Sequence, residues 1–254
     1  MFADRDDAGR QLGRALVSRA DLTGSGTVVL GLPRGGVPVA ARVGEALGAV
    51  LDVVVVRKLG VPGQPEYAMG ALGEDGVRFV SEAVIRKTGV TPEALARVER
   101  LEAAALAQRA ADLRRGRTRV DLHDRTAVVV DDGVATGATA RAACAVVRRL
   151  GAIRVVLAAP AVPRGLAERL TEADEVVALV SPHPFGAVST HYRDFRAVPE
   201  EAVLAELDAA AERTRGAAGT PGRAGVRRDR GDDTSAERPR SPHNQAPDEP
   251  SSVG

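Results

Sequence analysis

Residues 127–140 read Ala-Val-Val-Val-Asp-Asp-Gly-Val-Ala-Thr-Gly-Ala-Thr-Ala, and this stretch restricts the fold more than any other. Val128, Val129 and Val130 are consecutive β-branched residues, the pattern of a short strand buried on both faces of a parallel sheet. Two adjacent carboxylates, Asp131 and Asp132, stand where that strand ends. A loop of small residues follows from Gly133 to Thr139, and a helical pattern opens at Arg141. Open α/β sheets bind ligands at the carboxyl ends of their strands, so the position suits a site.

The chemistry points to a phosphorylated sugar. Gly133 and Gly137 allow the backbone to turn and present N–H groups to an anion. The following helix adds the positive end of its dipole, and Thr136 and Thr139 add hydroxyl donors. Paired carboxylates beside such a cradle would repel a bare anion. They are well placed if they accept hydrogen bonds from the vicinal hydroxyls of a ribose, and a ribose 5-phosphate unit combines both features. A Walker A loop is excluded because no Gly-Lys-Ser/Thr occurs, and a Walker B strand or receiver-type aspartate leaves Thr136-Gly137-Ala138-Thr139 unexplained.

Val128-Val-Val-Asp-Asp-Gly-Val-Ala-Thr-Gly-Ala-Thr139 resembles, without a gap, the phosphoribosyl-pyrophosphate (PRPP) motif of type I phosphoribosyltransferases. The resemblance covers roughly residues 6–213. It implies an α/β fold with a parallel twisted sheet flanked by helices, a small hood over about 181–196 and a flexible loop. It also implies transfer of the 5-phosphoribosyl group from PRPP to a nitrogenous base with release of pyrophosphate. In that reading Gly133, Val134, Ala135, Thr136, Gly137, Ala138 and Thr139 hold the 5-phosphate. Asp131 and Asp132 hold the ribose hydroxyls and assist Mg²⁺, the implied cofactor, which the substrate and water hold for the most part.

Gly31-Leu-Pro-Arg-Gly-Gly36 also lies between a strand and a helix. By itself it reads equally as an ordinary turn with a surface arginine. The family resemblance makes it the pyrophosphate loop, with Arg34, Gly35 and Gly36 as donors and a non-proline cis peptide as a common feature. Arg57 and Lys58, expected at the end of a second core strand over 52–56, are either pyrophosphate-facing cations or a solvated basic pair. Lys58 joins Arg34, Asp131 and Asp132 as a catalytic candidate. Residues 59–76 are rich in Gly and Pro and read as a mobile excursion with short strands at 68–72 and 77–80, similar to the family's catalytic loop; Glu66 and Tyr67 are weak candidates within it.

Aromatic residues are scarce, yet Phe185, Tyr192 and Phe195 fall within eleven residues after the last expected strand. In the family this segment selects the acceptor, so Phe185 and Tyr192 are acceptor-stacking candidates; packing of the hood is the other reading and suits Phe195 better. His183 and His191 have no metal-site spacing.

Strands are expected at 27–30, 127–130, 154–159 and 175–180, and helices at 6–20, 37–47, 92–115 and 164–172, the long one capped by Thr91 with Pro92 in its first turn. Their alternation argues for a parallel sheet with right-handed crossovers. The long helix is not a feature of the familiar salvage enzymes, which leaves the acceptor open. From Arg215 no Leu, Ile or aromatic residue recurs, so 1–214 is expected to form the domain and 215–254 a disordered tail. A net charge of +1 argues against a field that recruits nucleic acid or membrane. No run reaches transmembrane length, the N-terminus is acidic and unlike a signal peptide, and Cys144 reads as a small core residue; a cytoplasmic protein with small-molecule partners is expected. A homodimer is compatible with the sequence. A non-catalytic PRPP or nucleotide sensor, and a sugar-phosphate hydrolase, are the alternatives.

Overall fold

The valine runs do become the centre of a parallel sheet. The structure is a computed structural model that describes residues 1–218. Its elements are α1 (Arg5–Val17), β1 (Thr27–Gly31), α2 (Gly36–Leu47), β2 (Val50–Val53), β3 (Val56–Val61), β4 (Gln64–Gly73) and β5 (Arg78–Val80). After these come α3 (Glu82–Thr88), α4 (Pro92–Arg114), β6 (Thr126–Val130), α5 (Ala138–Arg149), β7 (Arg154–Ala161), β8 (Glu175–Val180) and α6 (Glu200–Ala218). The main sheet has the order β2-β1-β6-β7-β8, parallel throughout. A second, antiparallel sheet of β3, β4 and β5 stands beside it.

Alternation along β6 divides the core. Val128 and Val130 face a cluster that includes Leu12 and Leu16 of α1, Val39 and Val43 of α2 and Leu207 of α6. Ala127 and Val129 face the opposite cluster, with Ala143, Cys144 and Val147 of α5 and Leu166 and Leu170. Both faces are covered, which is why the strand carries no polar residue between Ala127 and Val130.

Strand register positions the site. Gly31 pairs with Val130, and Val130 with Ala158. The loops after β1 and β6 therefore leave the sheet side by side, and Leu32 N–H donates to the Val130 carbonyl at 2.9 Å.

Several expectations need revision. Residues 59–76 are strand-paired over most of their length, because β4 runs antiparallel to β3 on one side and β5 on the other. The helix expected over 164–172 is only a 3₁₀ turn, Ala167–Arg169. Helix α3, capped by the Ser81 hydroxyl, lies where no helix was expected. Helix α6 continues to Ala218, past the expected tail boundary at Arg215; the remainder of the proposed tail lies outside the described residues. Helix α4 begins as the Thr91–Pro92 pair dictates, with the Thr91 hydroxyl accepting from Ala94 N–H at 3.2 Å. Among the described residues no helix is long and apolar enough to cross a membrane.

A buried ion network fastens α4 to the domain. Arg114 donates to Asp52 of β2 at 2.6 Å and to Glu74, in the turn after β4, at 2.6 and 2.9 Å. Asp52 also accepts from Val120 N–H at 2.8 Å. Arg114→Met should strand two buried carboxylates and destabilise the protein by about 3 kcal/mol. A urea midpoint unchanged from the wild type would contradict this. Burial of Cys144 pushes its thiol up to about 12. Iodoacetamide at pH 8 should therefore leave the native thiol unlabelled and modify it fully once the protein is denatured.

Candidate functional site

Asp131 and Asp132 are the first residues beyond β6. Asp131 Oδ1 accepts from the Asp132 N–H at 2.9 Å. Asp132 Oδ2 accepts from Arg5 Nε at 2.7 Å, and its carbonyl accepts from the Tyr192 hydroxyl. Burial raises the Asp131 carboxyl well above the usual range, and the neighbouring Asp132 charge adds to the effect. Asp132 is raised less, also by burial, with Arg5 opposing. Asp131 Oδ2 and Asp132 Oδ1 make no hydrogen bond among the described residues, so the pair presents two acceptor oxygens on adjacent side chains.

The loop after β1 lies directly against this pair. An ideal Cβ on Gly35 would stand 2.0 Å from Asp132 Oδ2, and one on Gly36 2.5 Å from the Val130 carbonyl oxygen. No side chain larger than hydrogen fits at either position while the carboxylates stay where they are. The Pro33–Arg34 peptide is cis, a feature the resemblance leads one to look for. Arg34 is exposed, and its side chain has no ion-pair partner among the described residues.

Beyond Asp132, Gly133 packs under the hood, where a Cβ would stand 2.4 Å from Val188 Cγ1. Val134 is buried, and its N–H donates to the Ala161 carbonyl at 3.0 Å, which anchors the loop to β7. Gly137 takes φ +82° as the N-cap of α5 and supplies no side-chain cap. The Thr136 hydroxyl accepts from Ala138 N–H at 3.4 Å, and Ala135 and Thr139 are exposed. The first-turn N–H groups of α5 thus open toward the loop, a ready anion cradle.

Arg57 and Lys58 do not end a core strand. The core strand stops at Val53, and the two cations lie within β3 of the antiparallel sheet. Successive strand residues point to opposite faces, so the pair cannot act together on one anion. Lys58 is paired with Glu66 at 2.9 Å, whereas Arg57 stands 3.8 Å from Glu102. Arg57 does line a cavity of about 180 Å³ with Leu32, Pro33, Thr139 and Arg109. Arg109 comes from α4 and pairs with Glu200; its place beside the two loops was not legible in the sequence, where it is one arginine among many on a polar helix. Glu66 and Tyr67 border a separate cavity of about 320 Å³ with Thr136, Ala138 and Arg141.

The hood aromatics separate in role. Tyr192 is only 5% exposed, and its ring packs between Phe2 at 5.4 Å and Phe195 at 4.9 Å. A stacking platform needs an open face, so Tyr192 is corrected to a structural residue that supports Asp132. Phe185 is partly exposed and packs against His191 at 4.8 Å, which leaves it the better-placed acceptor candidate. Arg5 was not anticipated, yet among the described residues it is the cation that pairs with Asp132.

Comparison with known proteins agrees with this geometry. Residues 7–193 match the model of the phosphoribosyl transferase domain. The chain is 54% identical over 211 residues to the Mycobacterium tuberculosis (strain ATCC 25618 / H37Rv) protein named "Putative phosphoribosyl transferase Rv0571c", and equally to its counterpart in strain CDC 1551 / Oshkosh. Those alignments cover 83% of this chain and 47% of each relative, so the chain spans about half the length of the proteins it matches. The crystal structure of TT1426 from Thermus thermophilus superposes with a TM-score of 0.75 at 45% identity, covering 82% of this chain and 97% of that one. With a parallel sheet that carries the acidic pair and the small-residue loop at one edge, the chain belongs to the phosphoribosyl transferase domain family.

Proposed function

We propose that this site binds PRPP and transfers its 5-phosphoribosyl group to a nitrogenous base, releasing pyrophosphate. The observation that carries the reading is the contact of Gly35 with Asp132. It sets a loop suited to a diphosphate against a carboxylate pair suited to a vicinal diol, and PRPP bears both groups on neighbouring carbons. The 133–139 loop and the start of α5 then receive the 5-phosphate, and Asp131 and Asp132 accept hydrogen bonds from the ribose hydroxyls. Arg34, Gly35 and Gly36 meet the pyrophosphate, with Arg57 facing the adjoining cavity.

The anomeric carbon gains positive charge as pyrophosphate leaves, so the protein's tasks are to align the acceptor, exclude water and stabilise the departing anion. Arg34 suits the last task because its planar fork is exposed and unpaired among the described residues. Phe185 offers a ring face to the acceptor. The carboxylate oxygens of Asp131 and Asp132 fit Mg²⁺, a hard cation that takes few protein ligands, and the described residues contain no group of three or more side chains able to hold a metal by themselves. When bound, Mg²⁺ would neutralise part of the diphosphate charge. A cytoplasmic setting and a place in nucleotide metabolism go with this reading.

The direct test is pyrophosphate release by purified protein given PRPP, Mg²⁺ and a panel of nucleobases. Tight PRPP binding without release for any base would favour a sensor on the same fold, and release of ribose 5-phosphate without a base would favour a hydrolase. Two variants sharpen the assignment. Asp131→Asn with Asp132→Asn should lower PRPP affinity at least about a hundredfold in calorimetry while preserving the melting temperature, since each carboxylate loses charge-assisted acceptor strength. Arg34→Ala should reduce turnover about a hundredfold and affect PRPP binding less, because its charge matters most as pyrophosphate departs. Weaker PRPP binding with turnover at saturating PRPP unchanged would assign Arg34 to ground-state recognition alone.

A further inference from the structure

Arg5 occupies an unexpected position for a cation. It is the first residue of α1, where the helix dipole disfavours positive charge and where Asp6 and Asp7 already supply the favourable sign. Its side chain nevertheless turns inward and is only 12% exposed. Helix stability does not account for that placement.

Three contacts do. Nε donates to Asp132 Oδ2 at 2.7 Å, and one terminal nitrogen donates to the Arg196 carbonyl at 2.8 Å. The guanidinium lies 3.8 Å from the centre of the Phe195 ring, within cation–π range. Arg5 Nε is also 3.3 Å from the position a Gly35 Cβ would take, so Arg5, Asp132 and the 31–36 loop meet at one point. The side chain thereby joins the acidic pair, the end of the hood and the edge of the pyrophosphate loop.

We infer that Arg5 is the positioning residue of the sugar subsite: by engaging Asp132 Oδ2 it fixes that carboxylate with Oδ1 turned out to a ribose hydroxyl. This rests on the PRPP reading above and adds a residue to it. Without Arg5, two adjacent carboxylates would lose the cation that pairs with Asp132, and the Asp132 carboxylate would lose the donor that sets its orientation. Arg5 also offsets one of the two negative charges that a phosphorylated sugar must approach. Phe195 and Arg196 hold the same guanidinium, so the end of the hood and the Asp132 carboxylate share one partner.

The experiment compares two probes on the full chain by calorimetry. Ribose 5-phosphate needs both the acidic pair and the phosphate loop, whereas inorganic phosphate needs the loop alone. Arg5→Met should weaken ribose 5-phosphate about tenfold or more, the scale of one charge-assisted hydrogen bond, and leave inorganic phosphate within about twofold. Arg5→Lys, which keeps the charge, should recover part of the loss. If Arg5→Met does not fold, Arg5→Lys carries the same comparison, with a smaller expected loss confined to the sugar phosphate. Unchanged ribose 5-phosphate affinity would overturn the inference, and so would an equal loss of both probes, which would mark Arg5 as a general brace. Wild-type protein that binds inorganic phosphate but neither PRPP nor ribose 5-phosphate would instead remove the PRPP reading, and the role of Arg5 with it.

Discussion

The site depends on a steric condition: the backbone of Gly35 must pass the Asp132 carboxylate with no side chain between them. Everything that meets this condition is visible in the sheet. Gly31 and Val130 are register partners, so the two loops leave from the same height, and the Leu32 N–H to Val130 carbonyl bond carries the pairing one residue past the strand. Asp132 is then held at three points: its N–H donates to the Asp131 carboxylate, its own carboxylate accepts from Arg5, and its carbonyl accepts from the Tyr192 hydroxyl. Two neighbouring carboxylates at partial burial are expensive, and burial raises the pKa of both. A fold tolerates such a pair where an ion or a polar ligand can use it.

Local chemistry made the main sheet legible. A valine run can only be a buried strand here, and Gly137 before a helical pattern marks the start of α5. The same holds for Thr91-Pro92, whose cap and fixed φ begin α4 where expected. What failed depended on pairing and packing that local residue type does not show. The 59–76 stretch reads as a mobile excursion, with short strands at 68–72 and 77–80, because it is rich in Gly and Pro. In the structure Gly60 and Gly70 let neighbouring backbone approach, with ideal Cβ positions 2.7 Å from the Pro65 carbonyl oxygen and 2.3 Å from that of Phe79, and the strands pair through them. Arg5 lies 127 residues from Asp132, and no periodicity or spacing relates the two. Tyr192 was misread for another reason: a cluster of aromatics is as much a sign of packing as of stacking on a ligand, and only burial separates the two.

The antiparallel sheet and α4 form the part least like a plain α/β layer; Leu59, Met69, Leu72, Leu106 and Leu113 pack them onto the core, and a charge network joins them as well. Arg114, Asp52 and Glu74 are each about nine-tenths buried and satisfied by one another. Such a network is weak evidence for stability and better evidence for a fixed geometry. Its effect is to hold α4 where Arg109 faces the cavity beside Pro33 and Thr139.

The pairing of Phe2 with Tyr192 has a consequence for the order in which the molecule comes together. Phe2 N–H donates to the His191 carbonyl at 2.8 Å, and Arg193 N–H to the Phe2 carbonyl at 2.9 Å, so the first residues of the chain close on a segment from the far end of the domain. Contacts of such sequence separation carry a large loop-closure entropy and form only after the intervening sheet has brought their ends near. The expected order is therefore sheet first and hood clasp last. Amide exchange around Phe2 and residues 191–193 would accordingly report a local opening that leaves the valine core protected, with the site assembled or dispersed while the rest of the domain stays intact.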